Sequence, residues 1–282
     1  MTNFADDILN AIEYNAKAEM AQEFPFRHHL GASVLGHPCE RYLFYSFRWV
    51  QLPDHSSRLL RIFERGQSEE LRVIDKLRST GLVLTTGTGY GEQIRAHDLP
   101  AHIGGSLDAM LHVPANLTHI YGEFMPVEIK THNAANWQKT FKKPINESHP
   151  QHYTQGNIYG WSWKCSHFMY VGLNKNDDRL GIQILEVGSD SAAVHVQRGR
   201  NVIYTQEFMH VPRTDERWRC KMCDFADKCK KKLPATSRNC RSCANAMPLQ
   251  DGTWLCNRMM TQIPKFSEIH MAEACDEWVS II

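Results

Sequence analysis

The sequence predicts an α/β protein in which a central mixed β-sheet is flanked by helices and followed by a small cysteine-rich C-terminal appendage. Three observations support this fold class. The chain has 282 residues, 42% of them hydrophobic, which is enough for one large domain with a small addition. Amphipathic helical patterns alternate along it with the period-two patterns of strands. Seven of the nine cysteines lie after residue 219, in a stretch with few apolar residues.

Helical patterns dominate the first eighty residues. Residues 4–22 are amphipathic, and Ser33 is a plausible N-cap for a helix that carries Cys39. A third helix spans about residues 59–81, with Gly81 as its stop. Three strands are expected next, at about residues 83–93, 103–113 and 119–131, with turn residues between them.

The following segment completes the predicted sheet. Residues 149–163 read as a helix, and residues 167–174 and 180–187 read as strands joined by a polar turn. Another helix is expected over 192–209. A boundary near Pro234 divides the chain into a larger domain, 1–235, and a tail, 236–282, that is too poor in apolar residues to build its own core.

Composition narrows the functional classes. No apolar run approaches the ~18 residues that a membrane span needs, and the charged N-terminal stretch does not resemble a signal peptide. We therefore expect a cytoplasmic protein, in a bacterium or a phage-infected host, with no membrane partner. The net charge of +1 neither demands nor excludes nucleic acid. The chain has no P-loop and no Gly-x-Ser-x-Gly motif.

Candidate catalytic residues are found on two neighbouring predicted strands. In "MPVEIKTH" (residues 125–132), Glu128 and Lys130 are two residues apart and so lie on one face of a strand. Asp108, in "GGSLDAML", lies on the strand before, so a hairpin would bring the two carboxylates together. Paired carboxylates suit Mg²⁺ or Mn²⁺. A neighbouring lysine can orient a water or stabilise charge on a phosphoryl group.

An Asp on one strand followed by Glu-x-Lys on the next resembles the PD-(D/E)XK nuclease superfamily. Two further features resemble its RecB-like branch. Gln155 and Tyr159, in "QGNIY", match the branch's Q-x-x-x-Y motif on one helix face. An early helix carries Glu70, which matches a metal-facing acidic position, and Glu69 is the competing choice.

The resemblance implies metal-dependent hydrolysis of DNA phosphodiesters, as an exonuclease in recombination, repair or phage DNA metabolism. A recombinase, helicase or single-strand-binding protein is a possible partner. The alternatives are a structure-specific endonuclease, a non-catalytic DNA-binding module, and a cluster-bearing redox or sensing protein. The implied site residues fall into three groups: metal ligands Glu70, Asp108, Glu128 and the Ile129 carbonyl; Lys130, which positions or activates water; and DNA contacts Gln155, Tyr159, Lys139, Lys142 and Lys143.

The first cysteine set has a C-x₂-C-x₅-C run, formed by Cys220, Cys223 and Cys229, which needs a fourth ligand. Cys39 is the candidate. This pattern resembles the iron–sulfur staple of certain RecB-like nucleases, including CRISPR adaptation nucleases. The resemblance implies a [4Fe–4S] cluster that ties the start of the domain to its end. Zinc in the same four cysteines is the alternative.

The second cysteine set lies in the tail. Cys240, Cys243 and Cys256 have zinc-site spacing, and Cys275 or His270 would supply the fourth ligand, with Cys275 favoured. A zinc ion there would let the tail fold without its own core. Cys165 lies outside both sets and is expected to be a buried hydrophobic residue.

Overall fold

The computed structural model describes residues 3–22, 27–87, 93–206, 210–263, 271 and 273–282. The helices are α1 (Phe4–Gln22), α2 (Ala32–Leu35), α3 (Glu40–Phe47), α4 (Ser57–Arg78), α5 (Thr118–Tyr121), α6 (Ala134–Lys142), α7 (Ile145–Ser148), α8 (Pro150–Ser162), α9 (Ser189–Tyr204), α10 (Arg217–Lys221) and α11 (Ala226–Lys231). The strands are β1 (Leu30–Gly31), β2 (Val83–Thr85), β3 (Ile94–Arg95), β4 (Ile103–Gly104), β5 (Ser106–Leu107), β6 (Ala109–His112), β7 (Phe124–His132), β8 (His167–Asn174), β9 (Leu180–Glu186), β10 (Ala246–Pro248), β11 (Trp254–Cys256) and β12 (Thr261–Ile263).

The central sheet has five strands in the order β2-β6-β7-β8-β9. β7 and β8 run parallel, because α6, α7 and α8 carry the chain back across the sheet between them, and the other neighbours are antiparallel. The predicted mixed sheet is therefore confirmed. β7 lies at its centre, so both edges of this strand are hydrogen-bonded to neighbouring strands.

Alternation along β7 divides its side chains between two layers. Val127 and Ile129 belong to a buried cluster that includes Val73 and Ile74 of α4. Residues on the opposite face of the strand, Glu128 among them, point towards the side that α8 covers. Ser56 stabilises the start of helix α4 as its N-cap, because its side chain accepts a hydrogen bond from the Leu59 amide.

Three local predictions were wrong. The segment at 119 starts as the short helix α5, which ends at Gly122 in a positive-φ conformation (77°) that favours glycine, and the strand starts only at Phe124. Ser33 lies inside α2 rather than at a cap, and Cys39 occupies the N-cap position of α3. The strand expected over 103–113 is broken into β4, β5 and β6, and the break between β5 and β6 falls at Asp108.

The described residues of the tail share the core of the main domain. Trp254 stacks on Phe47 with 5.4 Å between ring centroids. Cys243, Ala246 and Ile281 belong to the same buried cluster as Phe47. The tail therefore buries its few apolar side chains against α3, which compensates for its lack of an independent core.

No helix in the described ranges is both long enough and apolar enough to cross a bilayer.

Candidate active site

Asp108 lies at the bend between β5 and β6, one residue before β6 pairs with β7. Its Oδ2 accepts a hydrogen bond from the Ile129 amide at 2.7 Å. This bond crosses from one strand to the next and holds the carboxylate over the centre of β7. Burial raises the pKa of Asp108, and nearby Lys130 and the Ile129 amide only partly offset that effect.

Glu128 and Lys130 form an ion pair on one face of β7. Glu128 is only 1% exposed, and burial raises its pKa to about 8. The other carboxylate oxygen, Oε2, is buried without a hydrogen-bond partner among the described residues. Burial disfavours the charged form of Lys130, but Glu128, Asp108 and Glu70 outweigh it and raise the pKa of the lysine. Lys130 therefore remains protonated at neutral pH.

Helix α4 contributes a third carboxylate to this site. Glu70 lines the same pocket as Asp108 and Lys130. Burial, followed by repulsion from Asp108, raises the pKa of Glu70 to about 7. Glu69, the alternative, is buried and forms an ion pair with Arg72 at 3.0 Å. The structure thus places Glu70 at the site and gives Glu69 a partner on its own helix.

Gln155 and Tyr159 lie one turn apart on α8 and line the pocket. Gln155 Nε2 donates to the Tyr159 hydroxyl at 3.3 Å. Burial, together with the nearby Glu128 carboxylate, raises the pKa of Tyr159, so the phenol remains a neutral hydrogen-bonding group. The tyrosine ring fits closely over Gly105, where an added Cβ would lie 2.8 Å from the hydroxyl oxygen.

Sequence patterns did not identify several polar residues of the pocket. Arg27, Ser33, Ser106 and Gln151 also line it, and Arg27 donates to the Ser33 hydroxyl at 3.2 Å. Arg27 and Ser33 come from the amino-terminal region and carry no spacing signal that relates them to β7. Gln151 lies one helical turn before Gln155, so the same periodicity could have found it.

A histidine cluster adjoins the pocket. His132 Nε2 and His152 Nδ1 lie 2.8 and 3.0 Å from the Tyr170 hydroxyl. His149 stacks on His152 with 5.1 Å between centroids. Burial is the largest cause of the lowered pKa values, about 4 for His132 and about 3 for His152. These histidines are therefore neutral at physiological pH and serve as hydrogen-bonding groups behind the site.

The three predicted DNA-contacting lysines lie outside the pocket lining. Lys139 and Lys142 are exposed on α6, and Lys143 caps its end and forms an ion pair with Glu147 at 3.7 Å. They form an exposed positive strip along one helix.

The acidic groups suit a hard divalent cation. Glu70 of α4 and Asp108 of the β5–β6 bend line one pocket, and Glu128 of β7 is buried beside them. Among the described residues, Glu128 Oε2 lacks a hydrogen-bond partner, which a cation would supply. As the side chains stand, the described residues contain no group of three or more His, Cys, Asp or Glu side chains arranged to hold a metal ion. The Mg²⁺ or Mn²⁺ site remains a prediction.

The first cysteine set is brought together from both ends of the domain. Burial is the main cause of the raised pKa of Cys223, and Cys39 and Cys220 contribute to it as neighbours. Cys229 Sγ lies 3.9 Å from Nη1 of Arg41, which is in the first turn of the helix that Cys39 caps. All of these cysteines are free thiols. The iron–sulfur or zinc assignment remains a prediction.

The second cysteine set also converges. Burial raises the pKa of Cys240 to about 11, and Cys275, Cys243 and Cys256 add to this effect. His270, the alternative fourth ligand, lies outside the described residues. Cys165 is only half-buried, so the expectation of full burial was wrong.

Comparison with known proteins identifies a similar fold but no family for this chain. No family model matches the chain, and neither does any curated protein. Among solved structures, SSO0001 aligns with a TM-score of 0.52 at 17% identity, over 82% of this chain and all of the other. Two crystal structures of LHK-Exo, an alkaline exonuclease from Laribacter hongkongensis, align with TM-scores of 0.45 at 16% and 15% identity. One of these structures contains dAMP.

The LHK-Exo alignments cover 62% of this chain and 86% of the exonuclease. They are weaker than the SSO0001 alignment, and neither is evidence about the activity of this chain. At such low identity, the likeness to SSO0001 extends to the fold alone. The chain therefore has a helix-flanked mixed-sheet fold that is also found in SSO0001.

Proposed function

We propose that this protein is a metal-dependent deoxyribonuclease that degrades DNA from its ends. The observation that carries the proposal is the grouping of Glu70, Asp108 and Lys130 in the lining of one polar pocket, with the buried Glu128 carboxyl beside them. A buried carboxylate oxygen without a partner would be costly in a purely structural role. A hard cation at this point would remove that cost.

Mg²⁺ or Mn²⁺ would be held by Glu70, Asp108, Glu128 and the Ile129 carbonyl. When bound, the ion would supply Lewis-acid stabilisation of the scissile phosphate and a more acidic water. The role of Lys130 follows from its protonation state. Because its carboxylate neighbours keep it charged, it orients the attacking water and stabilises negative charge on the phosphate, and does not act as a base.

Other pocket residues would hold the DNA strand. The Gln155 amide and the Tyr159 hydroxyl are neutral groups suited to phosphate or sugar oxygens. Arg27 adds a second cation to the same pocket. Outside it, Lys139, Lys142 and Lys143 would hold phosphates of the approaching duplex.

The choice of exonuclease over endonuclease is tested with two substrates. An end-labelled linear duplex and a covalently closed circle are incubated with Mg²⁺, with Mn²⁺, and with chelator. We expect the linear duplex to disappear with either metal while the circle stays intact. Cutting of the circle would make the protein an endonuclease. Binding of both substrates without cleavage of either would show that the protein is a DNA-binding module without nuclease activity.

We further propose that Cys39, Cys220, Cys223 and Cys229 hold a [4Fe–4S] cluster, with zinc as the alternative. Support comes from their convergence at one place in the domain. Anaerobic purification should give a brown protein with stoichiometric iron. Zinc without iron in such a preparation would favour the alternative. We also propose that the protein acts in recombination, repair or phage DNA metabolism, together with a recombinase, a helicase or a single-strand-binding protein.

A further inference from the structure

The tail folds so that cysteines separated by up to 35 positions lie together. The Cys243 amide donates to the Cys240 carbonyl at 3.1 Å, which closes a tight turn. The β10–β11 pairing places Cys256 beside this turn, opposite Ala246. The Cys240 amide donates to the Met271 carbonyl at 2.9 Å, and this contact brings the last segment of the chain, with Cys275, to the same place.

The thiols themselves are close enough to affect one another. Burial raises the pKa of Cys240, and the nearby Cys275, Cys243 and Cys256 raise it further, because neighbouring thiolates would repel one another. All four are free, and their side chains as they stand do not yet form a ligating group. The backbone has therefore gathered four soft ligands, the number and type that a structural zinc site uses.

A second observation points to an anion at this place. Arg48, at the end of α3, has no exposed surface. Its Nη2 donates to the carbonyls of Cys243 and Ala246 at 2.8 and 2.9 Å. Its Nε and Nη1 have no hydrogen-bond partner in the described part of the chain. No carboxylate of that part forms an ion pair with it. Burial lowers the pKa of Arg48 to about 9, and Cys243 is the neighbour there whose ionised form would oppose this effect.

A buried guanidinium without a counter-ion is costly, because two carbonyl hydrogen bonds and the Trp254 ring, 5.2 Å away, only partly replace its lost hydration. Neutral thiols would leave that cost in place. Four thiolates around one Zn²⁺ carry a net charge of −2, which would provide the missing counter-charge. Arg241 lies between Cys240 and Cys243, with its guanidinium 4.2 Å from the Trp49 ring and 4.3 Å from the Phe47 ring. A second buried cation thus adjoins the same turn.

We propose that Cys240, Cys243, Cys256 and Cys275 bind one Zn²⁺ ion and that Arg48 is a positioning residue that balances the charge of this site. Binding replaces four S–H bonds by four Zn–S bonds, releases four protons to solvent and involves no redox change. The ion would join the tail to α3 through Arg48. This inference is independent of the proposed nuclease activity.

The first test measures metal content in the full-length protein. Zinc and iron are quantified in the wild type, in Cys256→Ser, and in Cys165→Ser as a matched control outside both cysteine sets. We expect Cys256→Ser to lose one equivalent of zinc with iron unchanged, and Cys165→Ser to lose neither. An unchanged zinc content in Cys256→Ser would overturn the proposal.

A second measurement needs no variant and so does not depend on Cys256→Ser folding. The native wild-type protein is alkylated with and without a zinc chelator, and the modified cysteines are identified by mass spectrometry. We expect all four tail cysteines to be protected together and to become reactive together when the chelator is added. Protection that the chelator does not alter, or a Cys240–Cys275 disulfide, would contradict a zinc site.

The role of Arg48 is tested by the rate at which zinc is released to a colorimetric chelator. Arg48→Lys keeps the charge, and Arg48→Met keeps much of the volume without it. We expect Arg48→Met to release the tail zinc at least about tenfold faster than Arg48→Lys, the lower bound for losing a partner of a metal ligand. Equal rates for the two variants would show that the charge of Arg48 does not act on the metal site.

Discussion

Asp108 Oδ2 accepts a hydrogen bond from the Ile129 amide at 2.7 Å, across the boundary between two strands. The bond places the Asp108 carboxylate beside Glu128 and Lys130, which flank Ile129 on β7. Groups that are separated by about twenty positions in sequence thereby share one electrostatic environment.

Replacing Lys130 by Ala should reduce DNA cleavage by at least ~10²-fold, the size of loss expected when one charge-stabilising donor is removed. DNA binding should be retained, because the lysine acts at the reacting phosphate. Cleavage of a labelled duplex and a gel-shift titration measure the two effects. Lys130→Met keeps the length of the side chain without its charge and should lose cleavage to the same extent. Lys76→Ala, on the exposed surface of α4, is the control and should cleave DNA like the wild type. Full cleavage by Lys130→Ala would refute the mechanism.

The stability of the metal-free protein should fall as pH rises from about 4.5 to about 8, the interval between the ordinary and the folded pKa of Glu128. Over this interval the folded state binds more protons than the unfolded state, so the free energy of unfolding decreases with pH. Glu128→Gln should flatten the dependence. Denaturant unfolding at several pH values measures it, and an identical slope in the variant would argue against a raised pKa for the buried Glu128 carboxyl.

Affinity for Mn²⁺ should rise with pH across the range from about 7 to about 8, where Glu70 and Glu128 lose their protons. The physical reason is that a cation binds the ionised carboxylate and competes with the proton. Calorimetric titration in buffers of different ionisation enthalpy counts the protons released. Glu69→Gln, which removes the ion-paired neighbour, should leave the count unchanged, and Glu70→Gln should lower it. A proton count that falls in Glu69→Gln and is unchanged in Glu70→Gln would identify Glu69 as the metal ligand.

Gly105→Ala should impair cleavage and destabilise the fold by about 1–3 kcal/mol, as overpacking does in a close-fitting site. The added Cβ would meet the Tyr159 hydroxyl at 2.8 Å and displace it from the pocket. Gly66→Ala is the matched control, since no atom lies within 4 Å of its added Cβ. This helical substitution should stabilise α4 by about 0.5–1 kcal/mol. Thermal unfolding and cleavage rates distinguish the two changes.

Replacing Lys139, Lys142 and Lys143 by alanine should weaken DNA binding to the same extent whatever the DNA sequence. Each lysine that no longer neutralises a phosphate should reduce the slope of log affinity against log salt by about 1. The catalytic rate at saturating DNA should be preserved, because these side chains lie outside the pocket. An unchanged salt slope in the triple alanine variant would show that this face of α6 does not contact DNA.

Local periodicity identified the parts of the site that lie within one element. Alternation along β7 paired Glu128 with Lys130, and helical spacing paired Gln155 with Tyr159. Choosing Glu70 over Glu69 required the rotation of α4 against the sheet, which is set by tertiary packing. The position of Asp108 at a bend was not predicted either, because a break between short strands leaves the alternating pattern intact.

Contacts between distant parts of the chain could not be predicted from the sequence. Arg27 reaches the pocket from the amino-terminal region, and no short-range pattern records that approach. The tail has few apolar residues of its own, and the zinc site expected from its cysteine spacing stays a prediction. Its contact with α3, where Trp254 stacks on Phe47, joins positions more than two hundred residues apart and has no local signature.

The central claim is that Asp108, Glu128 and Lys130 form a metal-dependent DNA-cleaving site, and one assay tests it directly. Degradation of a labelled linear duplex is followed at pH 8 with Mn²⁺, for the wild type and for Asp108→Asn purified in parallel. We predict rapid degradation by the wild type, none with chelator, and none by Asp108→Asn even where it binds the duplex. Equal degradation by the two proteins, or an intact duplex that the wild type binds in the presence of Mn²⁺, would contradict the account.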